Sequence, residues 1–288
     1  MLCRKLRKFS DLCRNYSNSV KRLLVDPKIR YNLTLHKKVN ANHNVRIFTF
    51  KLPEDDMVLG HSCGQHCSFY ANIGGETVSR TYTPTSICST RGYAEFMIKI
   101  YFKNEDPKYP AGGKMSQYLE SLKIGDVIKV SNPSGKVIYK GGGRLYITHK
   151  SGTAVVDTKK LGFIVGGIGI TPVIQMLRTI IIDPEDHIYC TLIYASKTEA
   201  DIICKEELND MAKKMEGGRL KIWHTLEEPP PDWRFGKGFV SKDMLRDHLF
   251  PPGPESLNLL SGPWPMLQAL AKQLIDLGYS KQMYTRYF

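Results

Sequence analysis

An apolar run at 161–165 passes without a polar spacer into Gly166-Gly167-Ile168-Gly169-Ile170-Thr171-Pro172. A buried strand that ends in glycines and opens a helix with proline in its first turn is the strand–turn–helix unit of a parallel α/β sheet. The alternation continues. Residues 189–195, 220–225 and 257–260 read as buried strands, with helices expected to begin at Pro172, near Thr198, near Ser241 and near Pro263. Thr198 and Asp201 have capping-box spacing. Residues 161–288 are therefore expected to form a doubly wound parallel α/β nucleotide-binding domain.

The preceding part of the chain has a different period. Residues 46–50 and 96–102 alternate, 53–56 form a turn, and 127–130 follow a Gly125-Asp126 turn. Only 116–122 has helical spacing. Mostly strands with one helix predicts a compact antiparallel barrel over 27–144. Residues 145–160 are polar and read as a connecting hairpin or linker.

Residues 1–24 stand apart. Leu2, Leu6, Phe9, Leu12, Cys13, Tyr16, Val20 and Leu23 recur every three to four positions among basic residues, the pattern of a basic amphipathic helix. Such a segment suits contact with an anionic membrane surface or mitochondrial targeting, and a solvated tail has the same composition. Leu2 stands where N-myristoylation requires glycine.

Composition narrows the partners. The chain has 288 residues, 42% hydrophobic and 24% charged, as a folded soluble protein does, and no apolar stretch reaches bilayer-spanning length. Net charge is +13 from 41 Lys and Arg against 28 Asp and Glu. No nucleic-acid-binding motif accompanies that charge, so nucleic acid is not expected, and an acidic protein or a membrane surface is. The seven cysteines are odd in number and scattered. They fit reduced thiols rather than a disulfide framework, and no metal site is expected.

Two further segments carry chemistry. In Arg80-Thr81-Tyr82-Thr83, read as a strand, Arg80 and Tyr82 share one face. A guanidinium grips a pyrophosphate with paired hydrogen bonds, and a tyrosine beside it offers a plane and a hydroxyl to a flavin ring. In Ala111-Gly112-Gly113-Lys114-Met115-Ser116, glycines admit a ligand to a helix N-terminus, whose open amides bind anions. Lys99 supplies a further charge from the strand between. With Gly166, Gly167 and Gly169, which admit a second dinucleotide, and Thr171, which can bond a ring or ribose, the chain reads as holding a flavin dinucleotide and a nicotinamide dinucleotide.

The segments AGGKMSQYLESLKIGD at 111–126, IKIYFK at 98–103 and GFV…MLRDHL at 238–249 are similar to those of NADH-cytochrome b5 reductases, within the ferredoxin-reductase-like flavoenzymes. The resemblance spans roughly 27–288. It implies FAD contacts from Arg80, Thr81, Tyr82, Thr83, Met97, Lys99, Phe102, Gly113, Lys114, Met115, Ser116 and Thr171. It implies NADH contacts from Gly166, Gly167, Gly169, Glu227, Phe239, Ser261 and Pro263, with Lys99 and Thr171 as the catalytic pair. An acid at Glu227 accepts from a free ribose 2′-hydroxyl and repels a 2′-phosphate, favouring NADH. Three segments depart from the family pattern. Thr81 replaces a proline, Ile168 a threonine, and Ser261-Gly262-Pro263-Trp264-Pro265-Met266 a segment that begins with cysteine and lacks the tryptophan.

The implied activity is hydride transfer from NADH to FAD, followed by single-electron delivery to cytochrome b5 or a similar acidic haem protein. A monomer is expected, intracellular on the cytosolic face of the endoplasmic reticulum or mitochondrial outer membrane. Two alternatives stay open at this point. One is a flavin-binding sensor or structural protein with weak turnover; the other is a related NADH reductase with a quinone acceptor.

Overall fold

The computed structural model describes residues 20–287. The chain divides into two units between Gly135 and Lys136.

The first unit is a six-stranded antiparallel sheet. Its strands are β1 (Tyr31–Asn40), β2 (Val45–Lys51), β3 (Cys67–Ile73), β4 (Glu76–Tyr82), β5 (Tyr93–Lys99) and β6 (Val127–Val130), in the order β4-β3-β6-β1-β2-β5. The two-residue Gly74-Gly75 turn sets the β3–β4 register at Ile73↔Glu76. Alternate residues then face inward, and Phe48, Phe50, Phe69 and Phe96 are fully buried. Phe69 meets Phe96 edge-to-face at 4.8 Å and Phe50 at 5.7 Å. Burying each such ring stabilises the sheet by about 2–3 kcal/mol. The sheet curls, because Pro84, just beyond β4, bridges Phe96 on β5. The one α-helix described in this unit, α1 (Lys114–Ser121), packs on β3 and β4 with Met115 and Leu119 inward.

The expected basic helix at 1–24 lies outside the described residues up to 19. Its remaining part is not helical. Leu23 and Leu24 donate backbone bonds to Val58 and Leu59, each at 3.0 Å, and Val58 donates to Lys21 at 2.9 Å. Leu23 and Leu24 are buried in the first unit's core. Apolar side chains at 23 and 24 stabilise the unit more by filling this core than they would by extending a surface helix.

In the second unit, β7 (Val137–Tyr139), β8 (Arg144–His149) and β9 (Gly152–Asp157) form a small antiparallel sheet. The polar stretch at 145–160 thus supplies a hairpin. The parallel sheet contains β10 (Lys160–Gly166), β11 (Tyr189–Ser196), β12 (Leu220–Leu226), β13 (Gly236–Lys237), β14 (Ser256–Ser261) and β15 (Tyr284–Arg286), ordered β13-β12-β11-β10-β14-β15. Helices α2 (Thr171–Ile182), α3 (Lys205–Lys214), α4 (Lys242–His248) and α5 (Trp264–Asp276) connect them. Asp186, buried on the α2–β11 loop, accepts from Tyr139 Oη at 2.5 Å and Gly142 N at 2.9 Å. Burial raises its carboxyl pKa, and these donors oppose the rise. The network pins β7 to the parallel part of its own unit.

The helix expected near Thr198 starts later. The Thr198–Asp201 capping box is present, but it caps a single 3-10 turn. Cys204 adopts a left-handed φ of 57°, and α3 begins only at Lys205. Among the described residues, no helix is long and apolar enough to cross a membrane.

Candidate cofactor and nucleotide sites

In the first unit, β4 carries the predicted arginine and tyrosine. Arg80 pairs in register with Phe69 and Tyr82 with Cys67, so both share the face that carries the core side chains of β3. Thr81 faces outward and is exposed. Tyr82 is half-buried against Phe69, ring centroids 5.1 Å apart. Burial raises its hydroxyl pKa, and the nearby Arg80 charge opposes the rise. Arg80 itself is exposed, and Nη1 donates to Ser79 O at 2.7 Å. Just past the strand, Thr83 is buried, and its Oγ1 has no hydrogen-bond partner among the described residues.

The chain leaving β5 brings the next group to the helix start. Gly113 N donates to Tyr101 O at 2.8 Å, and Tyr101 N donates to Ser116 Oγ at 3.2 Å. Gly112, at φ +67, lies so close that an added Cβ would stand 2.5 Å from Tyr101 O. Helix α1 starts at Lys114, with Gly113 as N-cap and no side-chain cap. Its first-turn amides therefore point into the Gly112-Gly113 turn. Ser116 is not the helix start: its hydroxyl also donates to Gly113 O at 3.1 Å and braces the turn. Lys114 Nζ pairs with Glu76 Oε2 on β4 at 2.7 Å, leaving its backbone amide as the group directed at a ligand. Met97 is buried, Phe102 is half-buried 5.8 Å from the Arg46 guanidinium, and Lys99 Nζ lies 5.8 Å from the Tyr101 ring centre.

The second unit's candidate site sits at a topological switch point. From β10 the sheet runs to β11, β12 and β13 on one side and to β14 and β15 on the other. In open α/β sheets, ligands bind at the carboxyl ends of the strands where the order reverses. At that end, β10 runs into Gly166 and a 3-10 turn over Gly167–Ile170, and β14 ends at Ser261. The two turns interlock, since a Cβ on Gly169 would stand 2.7 Å from Ser261 O. Ser261 is buried, and its Oγ has no hydrogen-bond partner among the described residues. Thr171 is the first residue of α2, with Oγ1 donating to Ile168 O at 3.3 Å. Pro263 is exposed and caps α5.

Glu227 follows β12 at the same end of the sheet. It is exposed, and its amide donates to Ser196 O at 3.1 Å. Gly238 N donates to Leu226 O at 2.7 Å, and Thr225 Oγ1 donates to Gly238 O at 2.8 Å. Those bonds bring Phe239, 77% exposed, alongside Glu227.

Tyr194 was not among the predicted residues. Fully buried on β11, it donates from Oη to Gly167 O at 3.2 Å and accepts from Ile203 N at 3.3 Å, fixing the glycine turn from below. The signal was a tyrosine inside an apolar strand, which needs a partner for its hydroxyl. Nearby, burial and the Lys205 charge lower the His224 pKa to about 4.

An antiparallel unit with a glycine-gated helix N-terminus, followed by a parallel unit with a glycine turn at its switch point, defines a two-domain flavin- and nicotinamide-binding oxidoreductase. Residues 32–139 match the oxidoreductase FAD-binding domain, and residues 163–272 match the oxidoreductase NAD-binding domain. Over 261 residues, 90% of this chain and 86% of the relative, the sequence is 46% identical to NADH-cytochrome b5 reductase 2 of Gallus gallus. It is 44% identical to human NADH-cytochrome b5 reductase 1 over 263 residues, 90% and 86% of the two chains. The crystal structure of the cytochrome b5 reductase domain of Ulva prolifera nitrate reductase superposes with a TM-score of 0.85 at 36% identity, covering 92% of this chain and 99% of that one. The chain belongs to the NADH-cytochrome b5 reductase family.

Proposed function

We propose that this protein oxidises NADH through bound FAD and delivers the electrons singly to cytochrome b5 or a closely similar haem protein. The observation that carries the reading is a buried hydroxyl in each unit with no hydrogen-bond partner among the described residues, Thr83 just past β4 in the first and Ser261 against the glycine turn of the second. A buried hydroxyl without a partner is costly, so each position fits a polar ligand.

FAD fits the first unit. Arg80 would hold its pyrophosphate from β4, and the amides of Lys114, Met115 and Ser116 from α1. Tyr82, stiffened by Phe69, supplies an aromatic plane, Thr83 a hydroxyl and Lys99 a positive charge. Thr81, facing outward, contributes backbone only, while Met97 and Phe102 shape the apolar wall. Bound FAD supplies the chemistry, accepting a hydride and passing on electrons one at a time.

In the second unit, Gly166, Gly167 and Gly169 admit the NADH pyrophosphate and Ser261 and Pro263 bound the nicotinamide end, while Thr171, at the start of α2, forms the catalytic pair with Lys99. Glu227, with no cation paired to it among the described residues, is left to accept from the ribose diol, with Phe239 beside it. The net charge of +13 supports an acidic partner met through a small, salt-sensitive encounter. The basic residues of 1–24 support contact with the cytosolic face of a membrane, and the protein is proposed to act as a monomer.

The test is an anaerobic titration. FAD-loaded protein is expected to bleach on NADH addition and to recolour as oxidised cytochrome b5 is reduced. A yellow protein that stays oxidised under excess NADH overturns the reading. Bleaching without cytochrome b5 reduction, but with reduction of a quinone, overturns the acceptor alone.

A further inference from the structure

Arg286 and Trp264 lie at the carboxyl end of the parallel sheet and have no role in the assignments above. Arg286 ends β15, opposite Leu260 on β14, and its guanidinium carbon stands 4.5 Å from the centre of the Trp264 indole. Trp264 opens α5, three positions after Ser261, and is 57% exposed. A guanidinium stacked on an indole face is held by cation–π attraction and by the match of two planes. No ion pair among the described residues neutralises Arg286.

The order of the strands says which end of a dinucleotide this charge meets. With the adenine ribose read by Glu227 after β12, the molecule crosses β11 and β10, and its other end arrives over β14 and β15. Three strand intervals from β12 to β14 span about 14 Å, the scale of an extended dinucleotide. The nicotinamide end therefore faces Ser261, Trp264 and Arg286. That ring is neutral in NADH and cationic in NAD+, so a fixed positive charge beside it penalises the product and not the substrate.

Resting on the NADH assignment above, we infer that Arg286, held by stacking on Trp264, is a specificity-determining residue that weakens NAD+ binding relative to NADH and so favours product release. The experiment is calorimetric titration of FAD-loaded protein with three probes: NAD+, the non-reducing tetrahydro analogue of NADH with its neutral ring, and ADP-ribose, which lacks the ring. The wild-type protein is expected to bind the tetrahydro analogue more tightly than NAD+. Arg286→Gln should narrow that preference by about threefold to tenfold, from loss of one nearby charge, with ADP-ribose affinity unchanged. Arg286→Lys should restore most of it, and Trp264→Leu, which releases the guanidinium, should give an intermediate narrowing. An unchanged preference in Arg286→Gln overturns the inference. So does an equal change for all three probes, which would place the charge on the shared phosphates. If wild-type protein binds none of the probes and does not bleach with NADH, the nucleotide assignment fails first. Bleaching together with an unchanged preference sinks this inference alone.

Discussion

The two units build anion turns by opposite means. In the first, the Gly112-Gly113 turn is held by chain from a neighbouring strand end, through Tyr101, and by the hydroxyl of Ser116 within its own helix. In the second, two turns from adjacent parallel strands brace one another, Gly169 against Ser261, with Tyr194 bonding Gly167 from beneath. An antiparallel sheet offers no natural crevice, so its anion site is a separate helix start pressed against the sheet. A doubly wound parallel sheet creates the crevice by its strand order. Damage in the first unit should therefore stay local to flavin binding, while damage at the switch point should disturb two turns at once.

The largest test of that contrast is a pair of glycine substitutions. Gly112→Ala puts a side chain at φ +67 and within 2.5 Å of Tyr101 O. It is expected to cost about 3 kcal/mol from strain and overlap, read as lost flavin and a lower Tm. Gly169→Ala pushes on Ser261 and should leave flavin content intact while abolishing measurable NAD+ binding. Equal flavin loss in both variants would break the comparison.

Acid should weaken both units by the same mechanism. Burial lowers the His61 pKa from 6.5 to about 4 in the first unit, and burial with the Lys205 charge does the same for His224 in the second. A histidine kept neutral by the fold contributes stability that is complete above its unfolded pKa and is lost as pH falls toward the folded value. Between pH 6.5 and about 4, each is expected to remove about 3 kcal/mol. Thermal melts across that range should fall less steeply in His61→Gln and His224→Gln. A parallel fall in either variant removes that histidine from the account.

Arg80→Ala should weaken flavin binding by about thirtyfold, the loss of one charge-assisted contact worth roughly 2 kcal/mol. Equilibrium dialysis of FAD measures it, and full retention would leave the helix amides alone as the anchor. The smallest effect is expected in the second unit, where Glu227→Thr should reduce the NADH over NADPH preference by about tenfold. Steady-state kcat/KM with the two coenzymes checks it. An unchanged ratio removes Glu227 from specificity.

Much of this architecture was legible because long periodic segments announce themselves. The expected strands at 161–165, 189–195, 220–225 and 257–260 lie within β10, β11, β12 and β14, and the 116–122 helical pattern lies largely in α1. What escaped was short or non-local. β13 and β15 have two and three residues and carry no period to detect. The capping box at Thr198 is chemically sound, yet Cys204 breaks the backbone before an α-helix can follow. At the sites, residue types pointed to the turns but not to their bracing. Nothing in the sequence shows that the Ser116 hydroxyl is spent on Gly113 and Tyr101, or that Tyr194 reaches Gly167 across 27 positions. The amphipathic pattern at 1–24 misled at its end, because Leu23 and Leu24 are core residues of the first unit.

Every strand of the antiparallel sheet precedes Gly135, whereas the switch-point crevice lacks one wall until β14 and Trp264 have been made. On the ribosome, every strand of the flavin half can thus be made while the nicotinamide half still lacks β14, α5 and β15. The anion turn at Gly112-Gly113 is therefore made before any residue of the switch-point crevice. Nascent protein thus has the seat of its electron store before it has the means to fill it.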